Sequence, residues 1–301
     1  MKSYGICPAS CGEFVQGIID YEEYLSSYAI DIFSVATMEE KICNINLGPS
    51  KSRKAMEKVF EKFNIPLKES RNISLDIKSN IPVGKGMASS TADIGATIRA
   101  TLSLLDKNLD NEEISHIASE IEPTDSILLY KNSIFNPLRG NVKKYLSSLE
   151  KTKVIILEPD EILETSLIRS NPKYLEKKLE NKEIIKKSFN LLEEGLYKND
   201  LKIIGKACTL SSLANENIHK KPYLYDIVDV SDKMGAYGVN IAHSGTVIGI
   251  LVDDNVDHEK IVRHLKDLEL SNYYKKIGLS KIIGHGEREE IEWNILKTLK
   301  W

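Results

Sequence analysis

The stretch Pro82-Val83-Gly84-Lys85-Gly86-Met87-Ala88-Ser89-Ser90-Thr91 decides how the rest of the chain is read. Gly84 and Gly86 put residues without a Cβ where backbone must approach a ligand closely, and glycine reaches the unusual backbone angles of such a loop without strain. Hydroxyl residues follow, and then an apolar series at helical spacing, Ala92, Gly95, Ala96, Ile98, Leu102 and Leu105, which predicts a buried helix over 88–105. At a helix start, free backbone N–H groups and the positive end of the helix dipole converge, so a polyphosphate is bound there without many cationic side chains. The pattern is not G-x-x-x-x-G-K-[ST], because Lys85 sits between the glycines and no Ser or Thr follows it directly, which disfavours a P-loop NTPase. A glycine pair before a Ser/Thr helix cap also describes an ordinary loop. Companion motifs elsewhere in the chain separate the two readings.

Working outward, 301 residues with 42% hydrophobic content bury one large core or two ordinary ones, and two lobes are expected. The net charge of −3, with Lys and Arg scattered, argues against a nucleic-acid partner; a small anionic ligand needs only a local positive site. No stretch approaches the roughly 18 apolar residues of a membrane span, and the start of the chain lacks a charged and then apolar leader, so no membrane partner and a cytoplasmic location are expected. Cys7, Cys11, Cys43 and Cys208 form no C-x-x-C pair and have no nearby His, and they read as reduced thiols rather than a zinc site.

The pattern predicts strands near 18–19, over 26–37, 41–47 and 73–78, and helices over 51–63 and 112–120. An apolar strand over 153–157 is followed by a Lys/Glu-rich, helically periodic stretch to about residue 217. The last third reads as a helix over 223–234, a turn at 235–238, a strand over 246–252, a helix over 257–268 and a strand near 276–283. Strands and helices are mixed, so the fold class is α+β, with a boundary near residue 150 between domains 1–150 and 151–301.

Two motifs accompany the loop. One is Cys7-Pro8-Ala9-Ser10-Cys11-Gly12-Glu13-Phe14-Val15-Gln16-Gly17, too irregular for an ordinary core strand; the other is Gly235-Ala236-Tyr237-Gly238 with Ala242-His243-Ser244-Gly245-Thr246. With the loop, they resemble the GHMP superfamily of galactokinases, homoserine kinases, mevalonate kinases and phosphomevalonate kinases over nearly the whole chain. Within it, the CPASCGE opening, GKGMASSTAD and Glu122-Pro123-Thr124-Asp125 are similar to the L-threonine kinases of cobalamin biosynthesis. The resemblance implies a ribosomal-S5-like N-terminal lobe that binds ATP, a ferredoxin-like C-terminal lobe, an active site between them, and O-phospho-L-threonine and ADP as products.

It also implies roles. Residues Pro82, Val83, Gly84, Lys85, Gly86, Met87, Ala88, Ser89, Ser90 and Thr91 would cradle the phosphates, with Ser244 and Gly245 turning beside them. Lys85 would neutralise phosphate charge or point to water. Asp125 would accept the hydroxyl proton, although Asp in Pro-Thr-Asp-Ser equally suits a turn, and some relatives do without this base. Magnesium takes oxygen ligands and keeps several waters; Ser90 and Glu122 are the candidates, against a helix cap and a solvated charge, with Asp93 in reserve. Glu13 would receive the substrate's α-ammonium and Arg139 its carboxylate, the guanidinium being suited to a bidentate grip; a surface Arg is the plain alternative. His116 and His243 carry no catalytic expectation, since His243 has no visible partner. The competing functions are a homoserine or other small-alcohol kinase, and a nucleotide sensor without chemistry.

Overall fold

The computed structural model describes residues 1–149, 151–163 and 168–299. The expected domain boundary at residue 150, the end of the chain at 300–301, and residues 164–167 of the Lys/Glu-rich stretch lie outside the described residues.

A long hairpin forms the spine. β1 (Lys2–Ile19) and β2 (Glu22–Glu40) run antiparallel and are joined by Asp20 and Tyr21. Both turn residues are left-handed, with φ of 50° and 64°, which matches the twist of the flanking strands. The irregular first motif lies inside β1, so the strand reaches far beyond 18–19. Its irregularity is real: register shifts at Pro8/Ala9, Ser10/Glu13 and Glu13/Val15 are bulges, and they re-aim the side chains there. The stretch 41–47 is a loop rather than a strand; Ile42 is fully exposed, and the backbone docks on the neighbouring strand only through Asn46.

β3 (Ile73–Ser79) pairs with the second half of β2, and β4 (Ser133–Asn136) with its first half, β5 (Asn141–Tyr145) adding to β4. From the second half of the chain come β6 (Thr152–Glu158), β7 (Gly238–Ile241), β8 (Ile248–Asp253) and β9 (Lys276–Lys281). All nine join one antiparallel sheet in the order β5-β4-β2-β1-β7-β8-β6-β9, with β3 branching from β2. The seam is β1 against β7, where Glu13 faces Ile241. Within the second half, the order β7-β8-β6-β9 and the intervening helices give the β-α-β-β-α-β arrangement of a ferredoxin-like unit.

The helices before β4 are α1 (Ser50–Lys62), the short α2 (Leu67–Ser70), α3 (Ser89–Leu104) and α4 (Asn111–Ser119). After β6 come α5 (Tyr174–Glu180), α6 (Lys182–Lys198), α7 (Leu201–Ala214), α8 (Leu224–Lys233), α9 (His258–Asp267) and α10 (His285–Leu299). The side chains of β6 sort by the strand period of two: Val154 and Ile156 enter the larger core with α3, α6 and α7, while Ile155 and Leu157 enter the core of α8 and α9. α3 is buried on nearly every face, and its small residues Ala92, Gly95 and Ala96 let it lie close on β1. α10 escaped the sequence reading because its anchor is not apolar. Arg288, 1% exposed, donates to the carbonyls of Ile127 (2.6 Å) and Leu129 (2.9 Å) and pairs with Glu292. No described helix is long and apolar enough to cross a membrane.

Candidate active site

The phosphate loop is shaped by its backbone. Gly84 (φ 70°), Gly86 (φ 82°) and Ala88 (φ 57°) are left-handed, alternating with residues that are not. This alternation turns successive N–H groups toward one side and makes an anion-binding concavity. Ala88 also holds the N-cap position of α3 and offers no side-chain acceptor, so the first-turn amides of a 16-residue helix have no cap from it. A left-handed alanine costs about 1–2 kcal/mol, which the surrounding contacts must offset.

Those contacts come from both companion motifs. Gly12 N–H donates to the Gly86 carbonyl and Ser10 N–H to that of Met87, each at 3.2 Å. From the third motif, Thr246 and Val247 N–H groups donate to the Lys85 carbonyl at 2.8 and 3.1 Å. Gly86 and Gly245 meet face to face: a Cβ on Gly86 would stand 2.2 Å from Ala242 Cβ and 2.8 Å from Gly245 Cα, and one on Gly245 would stand 2.3 Å from Gly86 Cα. The three motifs, far apart in sequence, are one construction. The Lys85 ammonium turns away from solvent and donates to the Pro159 (2.5 Å) and Glu161 (2.7 Å) carbonyls, fastening the loop to the segment after β6.

Ser90 and Glu122 are brought together at the loop's edge by Lys51 of α1. Its Nζ lies 3.4 Å from Ser90 Oγ and pairs with Glu122 Oε2. A cation thus already sits between the two oxygen donors, and an exposed lysine is free to yield that place to a harder one. Behind them Asp93 accepts a 2.5 Å hydrogen bond from Ser34 Oγ; burial, with a contribution from Glu122, pushes its carboxyl above the ordinary range.

Asp125, 8% exposed, starts a 3-10 turn over Ser126–Leu128. Its Oδ1 accepts from Ile127 N–H and its Oδ2 from Ser27 Oγ, both at 3.1 Å, while its own N–H donates to Thr91 Oγ1 at 3.3 Å. The backbone of Asp125 is therefore tied to the first turn of α3, while its carboxyl is held by the 3-10 turn and by β2. Burial, helped by the charge of Glu13, raises its pKa to about 7, outweighing the hydrogen bonds that favour the anion.

Glu13 lies on the same side, opposite Ser27 in the β1–β2 register. Its Oε2 accepts from His243 N–H (3.0 Å) and from the ring Nδ1 (2.9 Å), and no described residue bonds its Oε1. His243 has a second partner in Ser211 Oγ, 3.0 Å from Nε2. The Glu13 carboxylate can only accept, so the ring proton is on Nδ1 and the Ser211 hydroxyl, which also accepts from Gln16 N–H at 3.2 Å, donates to Nε2. Burial holds the imidazole below its usual pKa, consistent with a neutral ring. Sequence reading left His243 without a partner because Glu13 lies 230 positions away.

Arg139 is placed elsewhere. Its side chain is 66% exposed and its guanidinium pairs with Glu22 at 2.8 Å, while its carbonyl meets His116 Nδ1. Cations that the sequence reading did not single out lie deeper in the fold. Lys178 and Arg169 hold Glu23 at 2.8 and 2.7 Å, and Gln16 Nε2 adds a third bond. Burial raises the Glu23 pKa, but the two cations more than offset this and keep the carboxyl below its ordinary range. Lys221, 3% exposed, makes no hydrogen bond through its ammonium among the described residues.

Comparison with known proteins agrees with this geometry. Residues 50–128 match the family model described as GHMP kinases N terminal domain, and residues 192–268 match GHMP kinases C terminal. An L-threonine kinase from Salmonella typhimurium is 31% identical over 93% of either chain. One from Citrobacter freundii is 30% identical over 88% of this chain and 92% of its own. Among solved structures, a homoserine kinase from Cytophaga hutchinsonii superposes with a TM-score of 0.69 at 17% identity, covering 93% of this chain and 95% of that one.

Proposed function

The chain belongs to the GHMP kinases and is an ATP-dependent small-molecule kinase; from this premise we propose that it phosphorylates the side-chain hydroxyl of L-threonine, giving O-phospho-L-threonine and ADP. The observation that carries the chemistry is Asp125, a buried carboxyl with a pKa of about 7, held by Ser27 and the Ile127 amide on a backbone whose N–H is hydrogen-bonded to Thr91 of the helix that begins at the phosphate loop. A base is most useful when its pKa lies near the working pH.

In this reading the nest of 82–88 and the first turn of α3 hold the triphosphate, and Gly245 and Ser244 close the loop from the other side. Residues 1–150 act as the nucleotide-binding domain and 151–301 as the C-terminal domain. The threonine hydroxyl attacks the γ-phosphorus as its proton passes to Asp125; the bond from phosphorus to the β,γ-bridging oxygen breaks, and ADP leaves with that oxygen. Glu13 takes the substrate ammonium through its open Oε1, fixed by the His243–Ser211 relay behind Oε2. The oxygen donors Ser90 and Glu122 fit magnesium, and they would hold it where Lys51 now lies. Bound there with ATP, magnesium neutralises charge on the phosphate oxygens. The motif resemblance further supports a cytoplasmic enzyme whose product serves cobalamin biosynthesis.

Incubation of the protein with Mg-ATP and threonine, serine, homoserine or mevalonate tests this directly. Threonine-dependent ADP formation with O-phospho-L-threonine as product is expected. Serine, short of one methyl, should be slower by the roughly 10–200-fold that a missing methylene-sized contact gives. Homoserine, with its hydroxyl one carbon further out, should miss the in-line position; a preference for it would establish the second reading, to which the homoserine kinase fold similarity points.

A further inference from the structure

An amino-acid acceptor brings two opposite charges into the site, and Glu13 answers only one of them. The cations with obvious places are committed: Arg139 to Glu22, Lys178 to Glu23, and Lys85 to the carbonyls of Pro159 and Glu161. Lys221 is not. Its side chain is 3% exposed, and its Nζ is buried without a hydrogen-bond partner among the described residues. A buried ammonium with no partner is costly to keep, and such a group is retained where a ligand completes it.

The backbone around Lys221 is fixed from three directions. Its N–H donates to Glu216 Oε1 (2.8 Å), its carbonyl accepts from Leu224 N–H (3.2 Å), and Tyr274 Oη donates to the next carbonyl, that of Pro222 (2.8 Å). The charged and titratable groups around it are Glu13 from β1, Glu161 after β6, Glu216 and His219 after α7, and His243 of the third motif. Among the carboxylates Glu13 acts on it most strongly, then Glu216 and Glu161. Each also serves another group: Glu216 the Lys221 backbone, Glu161 the Tyr273 hydroxyl, and Glu13 Oε2 the His243 ring. Glu13 and Lys221 thus attract one another without an ion pair, and a zwitterion complements both.

We infer that Lys221 binds the α-carboxylate of the amino-acid acceptor, opposite Glu13 at its α-ammonium, and so selects for a free amino acid. The inference rests on the acceptor reading given above. Burial pushes the Lys221 pKa down to about 7 against the pull of Glu13, Glu216 and Glu161, and an arriving carboxylate adds a counter-charge that favours the ammonium.

The test compares L-threonine with L-threonine amide, which keeps the ammonium and hydroxyl but has no carboxylate, at saturating Mg-ATP. In the wild type, threonine should be strongly preferred. Lys221→Met should lower kcat/KM for threonine by roughly 10²–10³-fold, mainly through KM, leave the amide within about threefold and leave KM for ATP unchanged. Its thermal midpoint should equal or exceed the wild type's, since an apolar isostere replaces an unpaired buried charge. Lys221→Arg, which keeps the charge, should restore part of the preference. Equal losses for both acceptors, a raised KM for ATP with threonine unaffected, or a threonine defect in Arg139→Met but not in Lys221→Met would each overturn the inference while threonine remains the wild-type substrate. A wild type that fails to turn over threonine rejects the acceptor reading, and the inference with it.

Discussion

The two walls of the proposed site are built from different materials. The donor wall is backbone: amides of 83–91 aimed by three left-handed residues and locked by the contact of Gly86 with Gly245. The acceptor wall is buried charge: Asp125, Glu13 and Lys221, drawn from the segment before a 3-10 turn, a bulged strand and a loop after α7. Backbone amides carry fixed partial charge and do not titrate, so the donor wall tolerates neither bulk nor a change of shape but is indifferent to pH. The acceptor wall has the opposite character. Asp125 and Glu13 are held by hydrogen bonds, the Lys221 ammonium has none among the described residues, and burial works against the charges of Asp125 and Lys221.

Breaking the acceptor wall should have the largest effect. Asp125→Asn should lower kcat by about 10²–10⁴-fold with little change in ATP affinity, measured by steady-state kinetics and nucleotide titration. In the wild type kcat/KM should fall as pH drops below about 7, because the carboxyl must be unprotonated to accept the proton, and this limb should vanish from the residual activity of the variant. Near-normal turnover would send the proton directly to phosphate.

On the donor wall the decisive variant is Gly86→Ala. The new Cβ meets Ala242 and Gly245 well inside contact distance at a φ of 82°, so a stability loss of about 1–3 kcal/mol is expected, with a higher KM for ATP and an unchanged pH profile. A shift in the pH profile would dissolve the distinction between the walls. Ser90→Ala should act more mildly, raising the magnesium concentration needed for half-maximal rate while stability stays within about 0.5 kcal/mol of wild type. Unchanged magnesium dependence would remove Ser90 from the metal site.

The last prediction concerns stability against pH. The Asp125 pKa is about 7 in the folded protein against 3.8 as the ordinary value, so the native state binds the extra proton and is favoured at low pH; stability is lost as pH rises from about 4 to 7. Asp125→Asn carries no such penalty. Its thermal midpoint relative to wild type should therefore climb across that window and level off above it, by roughly 2–4 °C per kcal/mol relieved. A flat difference would mean the carboxyl titrates normally.

The same contrast governs how much was legible in the sequence. The donor wall could be read because its signal is local: Gly84 and Gly86 stand next to the helix they serve, and glycine has few other reasons to recur there. Gly245 was readable as a turn, though not as the surface Gly86 packs on. The acceptor wall depends on pairings across the fold. Nothing in CPASCGE says that Glu13 meets His243, and Lys221 in His219-Lys220-Lys221-Pro222 has the look of a solvated charge. Arg139 was the more conspicuous cation, yet it lies on the surface beside Glu22. Among the elements, bulges hid most of β1, apolar Ile42 suggested a strand where the chain is exposed loop, and α10 was missed because a buried arginine anchors it.

Lys51 gives the donor side a property that neither wall has alone. Its ammonium lies between Ser90 Oγ and Glu122 as a tethered counter-ion, so in the proposed metal site the incoming divalent ion enters by exchange rather than by filling a gap. The expelled charge is not lost to solvent as a free ion would be; it remains on its stem at the rim, beside the arriving triphosphate. Nucleotide and metal capture then resembles a resin swapping one cation for another, with the displaced one still bound to the bead.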